Sequence, residues 1–322
     1  MCWPPRWGAG ILQDATVCGV QPFDPSFNEL YLRKIIMQQL TGLDAAFLFG
    51  ETPNAPMHIG NVGIFDPSTA PGGIVRFKRI IQTLNERAHL APYLRQRLYE
   101  VPFNADLPYW VNDESFDPEF HIRHIALPKP GDWRQLCIQV ARLHARILDR
   151  SRPLWEVYII EGLDHVEGVP AGSFAVVTKM HHAAIDGASF NDIGSALCDL
   201  TPEIRKVEGS EDWKPDNPPS PFELAALAYQ NNALKPLRFI DFMQKAMPTW
   251  ASAWENITSG NIRMTPEVPR TRFNGTVTPH RVFEGVTFTL EEIKNIKNQA
   301  GGTVNDVVLA ICSGALRGYL QG

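Results

Sequence analysis

Cysteine is scarce: five residues in 322, Cys2, Cys18, Cys137, Cys198 and Cys312, with no C-x-x-C pair. An odd and scattered set argues against a disulfide framework or a zinc knuckle and for a reducing compartment. An excess of one charge sign is also lacking, since 30 Lys and Arg stand against 35 Asp and Glu. Nothing global pulls the chain toward nucleic acid, and no nucleic-acid partner is expected. No apolar run approaches the roughly 18 residues of a membrane-spanning helix. The N-terminal apolar patch is broken by Gln13 and Asp14, unlike a signal peptide. G-x-S-x-G, G-x-x-x-x-G-K, H-E-x-x-H and a complete G-x-G-x-x-G are all missing, which sets aside the commonest hydrolase, phosphate-loop, zinc and dinucleotide sites.

What is present is ordinary globular material, 44% hydrophobic and 20% charged. At about 150 residues per domain the chain has room for two domains with full cores. Residues 1–36 show neither helical nor strand period and are expected to be an unstructured extension. A first domain is expected over 37–200, a connector over 201–270, and the start of a second, incomplete domain over 271–322.

The spacing predicts a strand over Met57–Phe65 and a helix over Ile74–Ala88, with Val75, Phe77, Ile80, Ile81 and Leu84 on one stripe. Asp132 is a candidate N-cap for a helix burying Leu136, Val140, Leu143 and Ile147. That helix would carry Arg142, Arg146 and Arg150 as a basic row, either a solvated face or a contact for an anionic ligand or lipid surface. Pro153–Glu161 and Gly172–Met180 read as strands joined by a Gly-rich turn, hence as an antiparallel hairpin. The hairpin would set Pro153, Leu154 and Trp155 beside Met180 and His181. Ser189 with Asp192 resembles a capping box for a helix reaching about Leu200. The connector has a helical stretch from Phe222 to Ile262 broken at Pro236 and Pro248. Its apolar residues, Leu224, Leu227, Phe239, Phe242, Met243, Met247, Trp250 and Trp254, fit either domain packing or lipid contact. A strand is predicted over Arg281–Thr289, a helix from Leu290, and a last helix capped by Thr303 and Asp306 with Val304, Val307, Val308, Ile311 and Leu320 as its stripe.

Chemistry concentrates in His181-His182-Ala183-Ala184-Ile185-Asp186-Gly187, at the end of a strand where a loop exposes side chains. An imidazole titrating near 6.5 accepts a proton from an alcohol at neutral pH. Asp186 can orient a ring or lock the loop through an arginine, and Gly187 suits a backbone too tight for a side chain. If the strand persists, His182 shares a face with Met180 while His181 shares one with Lys179. H-x-x-x-D also fits a hydrogen-bonded core pair or, less well without a third ligand, a metal pair.

The same residues match the HHxxxDG motif, and the set around them resembles the bacterial wax ester synthase/diacylglycerol acyltransferase family. Leu43-Asp44-Ala45-Ala46-Phe47 looks like the family's opening, and Asp149–Glu156 carries its Pro-Leu-Trp motif at Pro153, Leu154 and Trp155. Phe273-Asn274-Gly275 and Val304–Ala310, with Asn305 and Asp306, look like second-domain segments. The resemblance covers roughly 38–322. It implies a mixed α/β (α+β) fold of the chloramphenicol-acetyltransferase type, with two domains and the second incomplete. It implies transfer of a long-chain acyl group from acyl-CoA to diacylglycerol or a fatty alcohol, with no cofactor, no metal and no covalent enzyme intermediate. His182 would be the general base, His181 would pack or hydrogen-bond behind the site, and Asp186 would hold the loop through an ion pair. Gly187, the Pro-Leu-Trp residues, Asn305 and Asp306 would shape the site. The expected location is cytoplasmic, peripheral to the inner membrane or lipid inclusions. Little turnover is expected from residues 1–322 alone, and the alternative is an inactive homologue acting at a lipid surface or as an interaction protein.

Overall fold

The computed structural model describes residues 37–185, 198–199, 207, 217–236, 247, 259 and 270–321. The expectations for residues 1–36, for Asp186 and Gly187, for the capping box at Ser189 and for most of the connector fall outside them.

β1 (Gln38–Gln39) leads into α1 (Gly42–Gly50), where the Thr41 hydroxyl caps the helix by accepting the Asp44 N–H at 3.2 Å. β2 spans His58–Phe65 and α2 spans Phe77–Arg87, starting three residues after Ile74, because residues 74–76 are not helical. β3 (Gln96–Tyr99) and β4 (Tyr109–Asn112) follow, and β4 pairs antiparallel with both β1 and β3 in a small sheet.

The main sheet begins with the one-turn helix α3 (Pro118–His121), β5 (Ile122–Ala126) and α4 (Trp133–His144). It is completed by β6 (Trp155–Glu161) and β7 (Phe174–His181), in the order β2-β7-β6-β5. β5 and β6 run parallel, and α4 is the crossover between them, as a parallel pair requires. α4 forms where the sequence places its signals: the Asp132 side chain accepts the Gln135 N–H at 2.8 Å, and Gln135 reaches back to the Asp132 N–H at 3.2 Å. Leu136, Val140 and Leu143 pack on Tyr158, Ile160, Ala175 and Val177 beneath the helix. The other face of the sheet, with Trp155, Val157, Ile159 and Met180, packs on Ala88, Ala91 and Leu94. Six of the seven β6 residues are buried, as suits a strand covered on both faces.

The hairpin is as expected: β6 and β7 are antiparallel, with Trp155 opposite Met180. The basic row is not. α4 ends at His144, so Arg146 and Arg150 leave its face, and Ile147 is 48% exposed instead of joining the stripe. Residues 281–289 form no strand. Their place is fixed by packing on α4, with Phe283 against the core beneath it and the Trp133 indole N–H donating to Glu284 Oε1 at 2.5 Å.

Residues 221–236, labelled α5, are helical and lie on the small sheet. Leu224, Leu227 and Ala228 pack with Met37, Val101, Tyr109 and Val111, so Leu224 and Leu227 serve packing and not lipid contact. Two capped helices close the described residues: α6 (Leu290–Ala300), with a Thr289–Glu292 capping box, and α7 (Val304–Gln321), with Thr303 and Asp306 bonded at its start. Val307 is the one buried residue of the expected α7 stripe; Val304, Val308 and Leu320 stay exposed among the described residues.

Candidate functional site

The site is built at the end of β7. Pairing holds that strand on both sides, with His58 of β2 opposite His181 and Trp155 of β6 opposite Met180. The His181 N–H donates to Leu154 O at 2.9 Å, which continues the ladder to its last residue. The chain then turns: Ala184 N–H donates to His181 O at 2.9 Å, and Ala183 N–H to His181 Nδ1 at 3.0 Å. The strand therefore stops at His181. His182 is the first residue of that turn, beyond the strand whose alternation was expected to place it.

The two histidines have different environments. His181 is completely buried, whereas His182 is half-buried. His182 stacks on Phe47 of α1 with ring centroids 4.0 Å apart and planes at 16°. Its backbone N–H donates to Met57 O at 2.8 Å, just before β2 begins. Burial pushes the His181 pKa down, opposed by the carboxylate of Glu51 and assisted by Arg150 and His182. Burial also pushes His58 down, to about 4, with the Lys179 charge adding to the effect.

The Pro-Leu-Trp residues stand directly behind the turn. Leu154 is 1% exposed and packs with Leu48, Leu98, Trp110 and Ala183. Trp155 is buried, its indole N–H donating to Leu94 O at 2.9 Å and its ring stacked 4.5 Å from His121. Pro153 is buried as well. Asn305 and Asp306 lie in the first turn of α7, where Asp306 Oδ2 accepts the Thr303 N–H at 2.7 Å. Together with the Asp306 N–H, which donates to Thr303 Oγ1 at 3.2 Å, that bond caps α7.

Beneath His181, on the α4 side of the sheet, lies a buried polar network. Lys179 Nζ donates to Leu143 O at 3.2 Å and Arg146 O at 2.5 Å, and pairs with Glu156 Oε2 at 3.3 Å. The Tyr158 hydroxyl donates to the same Glu156 oxygen at 2.6 Å. A cation on the last carbonyls of α4 satisfies groups that have no intrahelical partner and complements the helix dipole. Next to it, Gly60, Val62, Val140, Leu143, Val177 and Phe283 help line a cavity of about 180 Å³.

Two residues at the site were not found from sequence. Phe47 lies in the Leu43–Phe47 segment, whose sequence carries a family resemblance but no chemical signal of its own. Glu51 is the C-cap of α1, with a side chain 3% exposed. An acid at the negative end of a helix breaks a local rule, and that violation is the signal that was available. Arg150, read as part of a basic row, is its partner: Nη2 lies 3.0 Å from Glu51 Oε2.

Comparison with known proteins agrees with this geometry. The sequence profile of the family described as "Wax ester synthase/diacylglycerol acyltransferase catalytic domain" matches residues 40–308. A protein of Mycobacterium tuberculosis strain H37Rv, provisionally named a diacylglycerol O-acyltransferase, is 33% identical over 285 residues, covering 88% of this chain and 55% of the relative. A second protein of that strain, also provisionally named a diacylglycerol O-acyltransferase, is 33% identical over 282 residues, covering 86% of this chain and 59% of the relative. The solved wax ester synthase/diacylglycerol acyltransferase from Marinobacter aquaeolei VT8 matches at a TM-score of 0.57 and 29% identity, over 88% of this chain and 61% of that one. The chain thus spans somewhat over half the length of the relatives it matches. With its mixed α/β fold, its histidine turn and a family profile matched across most of its residues, the chain belongs to the wax ester synthase/diacylglycerol acyltransferase family.

Proposed function

We propose that the protein is an acyl-CoA-dependent O-acyltransferase, moving a long-chain acyl group to the hydroxyl of diacylglycerol or of a fatty alcohol, with His182 as general base. The acceptor oxygen attacks the thioester carbonyl while His182 takes the hydroxyl proton. The tetrahedral intermediate then expels CoA, its C–S bond breaks, and the proton on His182 passes to the leaving thiolate. No covalent enzyme intermediate is formed. General-base assistance of this kind contributes about 10²–10⁴-fold.

The observation that carries the reading is the contrast within the motif. His181 is sealed under the turn, while His182 is half-buried, its ring stacked on Phe47 and its backbone N–H held by the Met57 carbonyl. A base must reach the proton it removes, and it must be held while doing so. Asp186 and Gly187 complete the motif as loop-holding residues, the first through an ion pair. Because both substrates carry long apolar chains, the enzyme works at a lipid surface without spanning it, as a peripheral protein of the cytoplasm. No helix among the described residues is long and apolar enough to cross a membrane.

The test is thiol release from a long-chain acyl-CoA, measured with hexadecanol, with diacylglycerol and with neither, and the lipid product extracted and identified. Acceptor-dependent release with matching ester supports the reading and names the acceptor. No release with either acceptor from the full-length protein overturns it in favour of a non-catalytic lipid-surface role.

A further inference from the structure

Glu51 is anomalous on three counts. It is an acid at the C-terminal end of a helix, its side chain is 3% exposed, and it lies among groups that all donate. Met57 N–H donates to Oε1 at 3.1 Å, and Arg150 Nε and Nη2 donate to Oε2 at 3.3 and 3.0 Å. A buried carboxylate that meets such a set is held firmly, since removing Arg150 leaves its charge uncompensated and removing the Met57 N–H leaves a lone pair unpaired.

The fourth neighbour is His181. Its Nε2 lies 3.6 Å from Glu51 Oε1, slightly beyond hydrogen-bond length, and has no other partner among the described residues. Its Nδ1 accepts the Ala183 N–H, so the ring proton of the neutral imidazole is assigned to Nε2, pointing at the carboxylate. The same oxygen that faces His181 holds the Met57 N–H, and the Met57 carbonyl in turn receives the His182 N–H at 2.8 Å. One carboxylate therefore reaches both histidines, the first through its ring and the second through its backbone.

We propose that Glu51 is a positioning residue for the acyl transfer: its carboxylate fixes His181 in the Nε2–H form, and with Met57 it sets the turn that presents His182. This rests on His182 being the base. Arg150 serves the same end by neutralising Glu51 and by closing α1 through a bond from Nη2 to Leu48 O at 2.6 Å.

Glutamine at position 51 is the informative substitution. Every neighbour of the carboxylate is a donor, and an amide presents one donor of its own. If its oxygen serves Met57 and His181, its NH2 faces Arg150; if the amide flips, its NH2 faces Met57 and His181. Removing the arginine resolves that conflict, so Arg150→Met added to Glu51→Gln should restore the His181 ring form that Glu51→Gln alone loses.

The experiment combines 15N spectra of the histidine rings with steady-state kinetics on the full-length protein and the variants Glu51→Gln, Glu51→Asp, Glu51→Gln/Arg150→Met and His182→Ala. The expected result for Glu51→Gln is a His181 ring that no longer holds a single Nε2–H form. A fall in kcat of about 10–100-fold should accompany it, with KM for acyl-CoA within about twofold. The double variant should recover the single Nε2–H form, and kcat in part, because the Arg150 bond to Leu48 O is lost with the arginine. Glu51→Asp keeps the charge and shortens the reach; it should show the same split between kcat and KM, and it stands in if Glu51→Gln fails to fold. Unchanged His181 tautomer and kcat in Glu51→Gln overturn the proposal, as does a loss of KM and kcat together that the double variant does not rescue. If His182→Ala keeps full activity, the general-base reading fails, while the tautomer measurement still decides the hold of Glu51 on His181.

Discussion

Trp155→Phe separates the two roles open to the Pro-Leu-Trp motif, packing or substrate contact. The substitution keeps an aromatic ring in the stack with His121 but removes the indole N–H that donates to Leu94 O at 2.9 Å. Leu94 and Trp155 are each 2% exposed, so water does not replace the lost donor. Leaving a buried acceptor without its partner costs about 1–3 kcal/mol. The smaller ring also leaves a void, and at about 24 cal/mol per Å³ a gap of one or two methylene groups adds roughly 1 kcal/mol. The sum is about 2–4 kcal/mol, or roughly 5–15 °C in Tm for a domain of this size. Differential scanning calorimetry reads the shift, and acyl-CoA titration of the same variant reads affinity. A packing role predicts a large drop in Tm with affinity unchanged. A Tm within about 2 °C of the parent together with weakened affinity would refute the reasoning and move Trp155 to the substrate surface.

Two further perturbations follow from local geometry. Gly131 has φ of +78°, and a Cβ there would lie 1.9 Å from the Gly162 carbonyl oxygen; Gly131→Ala should therefore lower stability by more than about 2 kcal/mol in urea titration, and a neutral result would contradict the loop packing. His58, His121, His144 and His181 are all pushed down by burial, His58 to about 4, while their unfolded counterparts titrate near 6.5. Between those values the unfolded chain binds more protons, so stability is present above about pH 6.5 and is lost as pH falls toward 4. Solvent screening limits the His58 share to no more than about 2 kcal/mol. Urea midpoints at pH 7, 6, 5 and 4.5 should decline in that order; a flat or rising series would show that these rings are not held neutral.

The local signals in the sequence were readable. The Asp132–Gln135 box starts α4, the Thr289–Glu292 box starts α6, and the Gly-rich turn makes the β6–β7 hairpin that brings Leu154 to His181. The errors have tertiary causes. α4 stops at His144 where Lys179, from another strand, takes the Leu143 and Arg146 carbonyls; helical spacing alone runs on to Arg150. Residues 281–289 alternate like a strand, yet side-chain packing on α4 holds them without a ladder. β2 finds β7 across more than a hundred residues, so the placing of His58 opposite His181 had no local signature. Glu51 and Phe47 were hidden for the same reason: their significance lies in what they touch across the fold.

The central claim is that His182 removes the acceptor proton, and single-turnover acyl transfer by His182→Ala in the full-length protein tests it most directly. The account predicts a rate about 10²–10⁴-fold slower, with the Tm preserved and acyl-CoA affinity little changed. Near-normal chemistry in His182→Ala, with abolition in His181→Ala at unchanged Tm, would contradict it and exchange the roles of the two histidines.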